Sequence, residues 1–164
     1  MGCAVIPVQM NTPTSAHTIR EMERADYAAV RRLWEESENV GLNESDEEPT
    51  IAAFLVRNAG LSVVALDHAG RVVGAVLCGH DGRREYLHHL AVARPQRGQG
   101  LGRGLVEVAV DRLRGLGIIK VNLSVFVTSD DARSFWEHLG WRAPTWQALQ
   151  KRVIEPTAIS NVGG

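Results

Sequence analysis

The feature that most limits how this chain can fold is a strand-like run that leads through a cluster of glycines into a helix. Tyr86 to Val92 is apolar and strand-like, Pro95 follows, and then comes Arg97-Gly98-Gln99-Gly100-Leu101-Gly102-Arg103-Gly104. Leu101, Leu105, Val108, Val110, Leu113 and Leu116 give the helical pattern, which ends near Gly117. Glycines at the start of a helix leave its first backbone N–H groups unhindered at the positive end of the dipole, an arrangement suited to phosphate. Arg97 and Arg103 add positive charge. A glycine-rich loop that binds nothing is the plain alternative. Two other phosphate motifs fail on spacing: a GxGxxG fingerprint would need glycine where Arg103 or Leu105 stands, and no glycine is followed by the Lys-Ser or Lys-Thr pair of a P-loop.

The rest of the chain arranges itself around that unit. Residues 1 to 16 hold two prolines and no periodicity and read as a flexible leader, leaving 17 to 164 as the domain. A short strand at Thr18-Ile19-Arg20 precedes a helix over about 25 to 38, where Tyr27, Val30, Leu33 and Trp34 recur at helical spacing. A second helix starts at Pro49 and carries Ile51, Phe54 and Leu55. Leu61 to Leu66 and Val72 to Cys78 are strand-like runs joined by Asp67-His68-Ala69-Gly70, and His80-Asp81-Gly82-Arg83 turns the chain into the next strand. Beyond the long helix the pattern predicts a strand over Ile118 to Val127, a helix over Asp130 to Leu139 and a last strand over Ala148 to Ile154. This order implies one α+β domain, a mixed and largely antiparallel central sheet flanked by helices.

Charge and composition exclude several partners. A net charge of -1 supplies no positive field of the kind that drives binding to nucleic acid. Cys3 and Cys78 lie far apart with no CxxC spacing, so neither a metal site nor a disulfide is expected. No apolar run approaches the roughly 20 residues of a membrane span, and no basic segment precedes an apolar core near Met1, so a cytoplasmic location is expected.

With these residues in place, the chain resembles the GNAT superfamily of N-acetyltransferases, whose signature Gln/Arg-x-x-Gly-x-Gly/Ala follows an apolar strand. Here the signature reads Arg97-Gly98-Gln99-Gly100-Leu101-Gly102 behind Leu90-Ala91-Val92, and Leu139-Gly140-Trp141 stands where the family closes a later helix. The resemblance covers about residues 18 to 153. It implies that acetyl-CoA binds as co-substrate, its pantetheine arm along Leu90, Ala91 and Val92. The pyrophosphate would lie on the turn formed by Arg97, Gly98, Gln99, Gly100, Leu101, Gly102 and Arg103. Arg94, Arg112 and Arg114 are further candidates for the nucleotide phosphates.

Aminolysis of a thioester needs a neutral amine, and alkyl amines such as lysine titrate near about 10.4, so a base is required. Regular alternation would put Tyr86, His88, Leu90 and Val92 on one face of their strand and Glu85, Leu87, His89 and Ala91 on the other. On the resemblance, His88 falls where arylalkylamine members carry an active-site histidine, and Tyr86 where histone-modifying members place a glutamate. His88 is therefore the leading proton acceptor, with Tyr86 beside it. Glu85 is a runner-up that would need a bulge to reach the same face, and His89 is expected to contribute little. Ordinary strand histidines bonded to backbone are the plain alternative.

Trp136 occupies the place where many members carry a tyrosine that protonates the departing thiolate, and indole cannot supply that proton. A thiol of pKa about 8.5 is a tolerable leaving group, so solvent protonation suffices at a cost in rate. Ser129 replaces an asparagine common near the start of that helix, and Ser124 stands where ribosomal-protein acetyltransferases have a catalytic glutamate.

Seven acids and no lysine or arginine lie between Glu35 and Glu48, in the segment that lines the acceptor side in the superfamily. A small cationic amine would suit them, although a solvated acidic loop is an equal reading. The expected function is transfer of acetyl from acetyl-CoA to a primary amine of a small cationic molecule by direct attack on the thioester. A protein N-terminal or lysine acetyltransferase and a catalytically silent CoA-binding module remain alternatives, and a homodimer is left open.

Overall fold

Among the described residues, which are 17–145 and 148–152 of this computed structural model, five strands and four α-helices follow one another. The expected leader, residues 1 to 16, lies outside the described residues. In chain order the elements are β1 (Thr18–Glu21), α1 (Tyr27–Glu35), α2 (Glu48–Arg57), β2 (Val63–Leu66), β3 (Val72–His80), β4 (Glu85–Val92), α3 (Leu101–Gly115), β5 (Val121–Leu123) and α4 (Asp130–His138). Short 3-10 turns at Arg24–Asp26 and Glu44–Asp46 precede α1 and α2.

The strands lie in sequence order, β1-β2-β3-β4-β5, each pair antiparallel except β4 with β5, which run parallel. This is the mixed, largely antiparallel sheet that the element order implied. Its first hairpin turns where the sequence placed it: Asp67 Oδ1 accepts the amides of Ala69 at 3.0 Å and Arg71 at 2.9 Å, and Gly70 takes the φ of +75° that the turn requires.

Helices cover both faces of the sheet. Val30, Leu33 and Trp34 recur at i, i+3 and i+4 and, with Ile51 of α2, bury against Val64, Ala75, Leu77 and Ala91. On the other face Leu101, Leu105, Val106, Ala109 and Leu113 of α3 pack on Val63, Ala65, Val73, Val76, Cys78 and Leu87. Burying a side chain such as Leu105 contributes about 1.5–3 kcal/mol. The helix lies close because β3 has Gly74 beneath it, where a Cβ would stand 2.9 Å from Leu105 Cδ1.

Three elements differ from expectation, two of them for a visible reason. α1 ends at Glu35 rather than near 38, since the Ser37 hydroxyl donates back to the Leu33 carbonyl at 2.7 Å and closes the last turn. β5 is much shorter than Ile118 to Val127, because Ile118 belongs to the end of α3, its amide bonded to Leu113 O at 3.2 Å after Gly117 turns left-handed. The expected last strand is not formed over 148–152, and 153 and 154 lie outside the described residues.

Candidate active site

β4 supplies the floor of the site, and its geometry turns on one bulge. Pairing with β3 runs from His80↔Glu85 to Leu77↔His88 and resumes at Ala75↔Ala91, so His89 and Leu90 share one position on the partner strand. His89 carries a φ of +53°, the sole positive φ outside glycine among the described residues. The extra residue reverses the alternation. Tyr86 and His88 face the side of α1 and α2, and beyond the bulge Ala91 joins that same side, while Leu90 and Val92 pack toward α3. The expected face assignment therefore holds from Glu85 to His88 and fails afterwards: Leu90 and Val92 turn away from His88, and His89 and Ala91 come round to it.

β4 and β5 stay paired only to Leu87↔Leu123. Past that point they splay, and His88 to Val92 on one side and Ser124 to Phe126 on the other line a cleft of about 1180 Å³. The cleft continues to Gly98, Gly100, Gly102 and Arg103 at the start of α3. Gly98 and Gly100 take φ of +76° and +80°, and a Cβ at either would meet nothing within 4 Å, so open space lies before their backbone. The first bond of the helix is Gly104 N–H to Gly100 O at 3.0 Å, which leaves the preceding amides without intrahelical acceptors. A pyrophosphate group fits this cradle by charge and by room.

The arginines divide. Arg97 Nε donates to Val92 O at 2.9 Å, tying the glycine turn to the end of β4, and its guanidinium lies 3.3 Å from Glu38, which Arg94 also bonds. The Glu38 backbone amide, Arg94 and Arg97 together hold the Glu38 carboxyl below the usual range. Arg103 is exposed beside the cleft. Arg112 bonds Gly60 O and Arg114 pairs with Asp111, and neither lines the cleft.

His88 stacks on Tyr86, with centroids 5.9 Å apart and planes at 15°, and meets Phe54 of α2 edge-on at 6.4 Å. Its ring reaches water along the cleft, yet the walls around it exclude enough solvent to lower its pKa below the usual imidazole value, and His89 adds to the shift. Glu85 lies on the α3 face, fully buried. Its Oε1 accepts the Cys78 thiol at 3.2 Å, its Oε2 has no partner among the described residues, and burial raises its pKa. The bulge falls on the far side of His88 and does not bring Glu85 across the sheet. Burial, followed by the Glu85 contact, pushes the Cys78 thiol up, so it stays protonated and unsuited to nucleophilic attack.

What sequence reading missed is how the segment between α1 and α2 is tied to β4. Asp46, buried, meets His89 Nε2 at 2.7 Å and accepts the Asn43 amide at 2.9 Å, while Trp34 Nε1 donates to His89 O at 3.2 Å. The Asn43-to-Asp46 spacing of a capping box was the one local signal that this turn is fixed. Ser129 Oγ reaches Asn39 at 2.7 Å and the Phe126 ring lies over Gly41, where a Cβ would be 2.5 Å from it, so the segment bridges to the chain beyond β5. Six of the seven acids have cationic or imidazole partners: Glu35 and Glu47 with Arg31, Glu38 with Arg94 and Arg97, Glu44 with Arg152, Asp46 with His89, Glu48 with Arg24. Trp136 lines the cleft, edge-on to Phe135 and to Trp141, each at 5.1 Å.

Among the described residues no cluster of three or more His, Cys, Asp or Glu could hold a metal ion, and no helix is long and apolar enough to cross a membrane.

Residues 27–141 match the sequence model of the acetyltransferase (GNAT) family. Solved structures share the fold. An aminoglycoside acetyltransferase from an uncultured soil metagenomic sample, in complex with sisomicin, is 18% identical with a TM-score of 0.66, over 85% of this chain and 97% of that one. The PaiA N-acetyltransferase of Thermoplasma acidophilum, in complex with coenzyme A, is 15% identical with a TM-score of 0.70, over 80% and 92%. The ribosomal-protein-alanine N-acetyltransferase of Brucella melitensis biovar Abortus 2308 is 19% identical with a TM-score of 0.66, over 84% and 99%.

Proposed function

The chain belongs to the acetyltransferase (GNAT) family, and from that membership as an acetyl-CoA-dependent N-acetyltransferase we propose that it acetylates a primary amine of a small molecule, with His88 accepting the amine's proton. The observation that carries this reading is the parting of β4 from β5 beside the open glycine turn, with His88 on the floor between them. Acetyl-CoA supplies the thioester carbonyl that the amine attacks. Backbone from Gly98 to Arg103 would hold the pyrophosphate, and the β4 edge at Leu90, Ala91 and Val92 would pair with the amides of the pantetheine arm.

A lowered pKa keeps His88 neutral, and so able to accept a proton, at lower pH than an ordinary histidine. Tyr86 stacks on the ring and fixes its plane. Direct transfer is supported by Cys78, the one cysteine among the described residues, whose thiol is protonated and buried on the far face. Trp136 offers no acid for the leaving thiolate, which takes its proton from water.

A small acceptor is favoured because the Asn39–Ser129 bond and Phe126 over Gly41 join the α1–α2 segment to the chain beyond β5 at the cleft. The case for a cationic acceptor weakens, because arginines and His89 already occupy most of the acidic segment. The test is thiol release from acetyl-CoA across a panel of neutral, cationic and carboxylate-bearing amines and of peptides with free N-termini. Turnover on small amines is expected. Turnover on peptides alone would replace this reading with a protein acetyltransferase, and none on any amine with intact CoA binding would leave a silent binding module.

A further inference from the structure

The backbone of His89 is left-handed, a conformation that a side chain bearing a Cβ rarely adopts and that persists where surrounding contacts over-determine it. Three contacts that hold it come from outside β4. Asp46 Oδ1 meets its ring at 2.7 Å, Trp34 Nε1 donates to its carbonyl at 3.2 Å, and the Trp34 ring lies edge-on to the imidazole at 5.1 Å. The Asp46 and His89 side chains are only 7% and 18% exposed. Asp46 is fixed in turn: its carboxylate takes the Asn43 amide at 2.9 Å, and its carbonyl takes the Tyr27 hydroxyl at 2.8 Å and Arg31 at 3.2 Å.

We propose that Asp46, His89 and Trp34 form a clamp that fixes the β4 bulge and through it the backbone of Leu90, Ala91 and Val92, so that the acceptor-side segment sets the register in which the pantetheine arm is received. The inference rests on the cofactor reading above. Removing the extra residue's left-handed turn would shift the strand by one position and send Ala91 out of the Trp34 cluster, with every backbone donor and acceptor beyond it redirected. The three residues are positioning residues: they act through the strand.

Calorimetry with two probes tests this, CoA and adenosine diphosphate, which carries the pyrophosphate without a pantetheine arm. His89→Ala keeps the Cβ penalty and loses the anchor. It is expected to weaken CoA by about tenfold, the factor set by the cost of a left-handed residue, and to leave adenosine diphosphate unchanged. His89→Gly takes a positive φ freely and is expected to bind CoA close to wild type. Asp46→Ala should weaken CoA in the native background and add nothing in the His89→Gly background, because the clamp then has no strained residue to hold. The proposal is overturned by equal CoA loss in His89→Gly and His89→Ala, by full affinity in His89→Ala, or by equal loss of both probes. A wild type that binds neither probe overturns the cofactor reading instead.

Discussion

The two halves of the cleft are built by different means. The half proposed for the cofactor is local: Gly98 to Arg103 are consecutive, and they offer backbone amides and the open space before two left-handed glycines. The acceptor half is assembled from a distance, with His89 meeting Asp46 across 43 positions, Trp34 across 55, and Ser129 meeting Asn39 across 90. A site made of backbone constrains a short motif. A site made of side chains constrains a fold, and its members can change without leaving a pattern in the sequence.

Substitutions should separate the halves. The largest effect is expected at the glycine turn, where Gly100→Leu places a side chain in the open space and forces it to a φ of +80°. CoA binding should become undetectable by calorimetry, with a stability loss of about 1–2 kcal/mol in a thermal or urea melt. Retained affinity in a folded variant would break the cofactor half of the comparison. Next comes His88→Gln, expected to lower kcat/KM by about 10² or more, the scale of general-base catalysis, while the Kd for CoA stays near wild type. A parallel loss of CoA affinity would show that the halves are not separable.

Smaller effects sharpen the acceptor half. Trp136→Tyr puts a phenol in the cleft where the departing thiolate needs a proton, so turnover should hold or rise by a few-fold under steady-state assay. A severe loss with normal CoA binding would mean that the indole shapes the acceptor pocket. Glu85→Gln should leave kcat/KM close to wild type, because the carboxyl is buried on the α3 face against Cys78. A large fall there would reopen Glu85 as the base.

Much of the fold was legible because its patterns are short-range: the Asp67 hairpin, the periodic apolar faces of α1 and α3, and the glycine turn. Element lengths were less so, since Ser37 and Gly117 end or redirect chain that hydrophobicity alone would have continued. The faces of β4 could be read as far as His88 and no further. A histidine in the left-handed region is not written in sequence, and alternation made His89 look inert when it is the residue that the acceptor segment grips. The acidic segment was visible, but its neutralisation depends on arginines from Arg24 to Arg152 that only the fold brings near.

The most direct test of the division between a backbone that holds cofactor and a histidine that accepts the proton is the dependence of kcat/KM on pH below neutrality, for wild type and His88→Gln. Protonation of the amine alone gives one slope. A base whose pKa is lowered by burial adds a second that begins below the ordinary imidazole value of about 6.5, since only the neutral ring accepts a proton. The expected result is a wild-type profile that steepens below about 6.5 and a His88→Gln profile that does not, with equal CoA affinity in both. The same steepening in both proteins, or its absence from wild type, would contradict the assignment of the proton to His88.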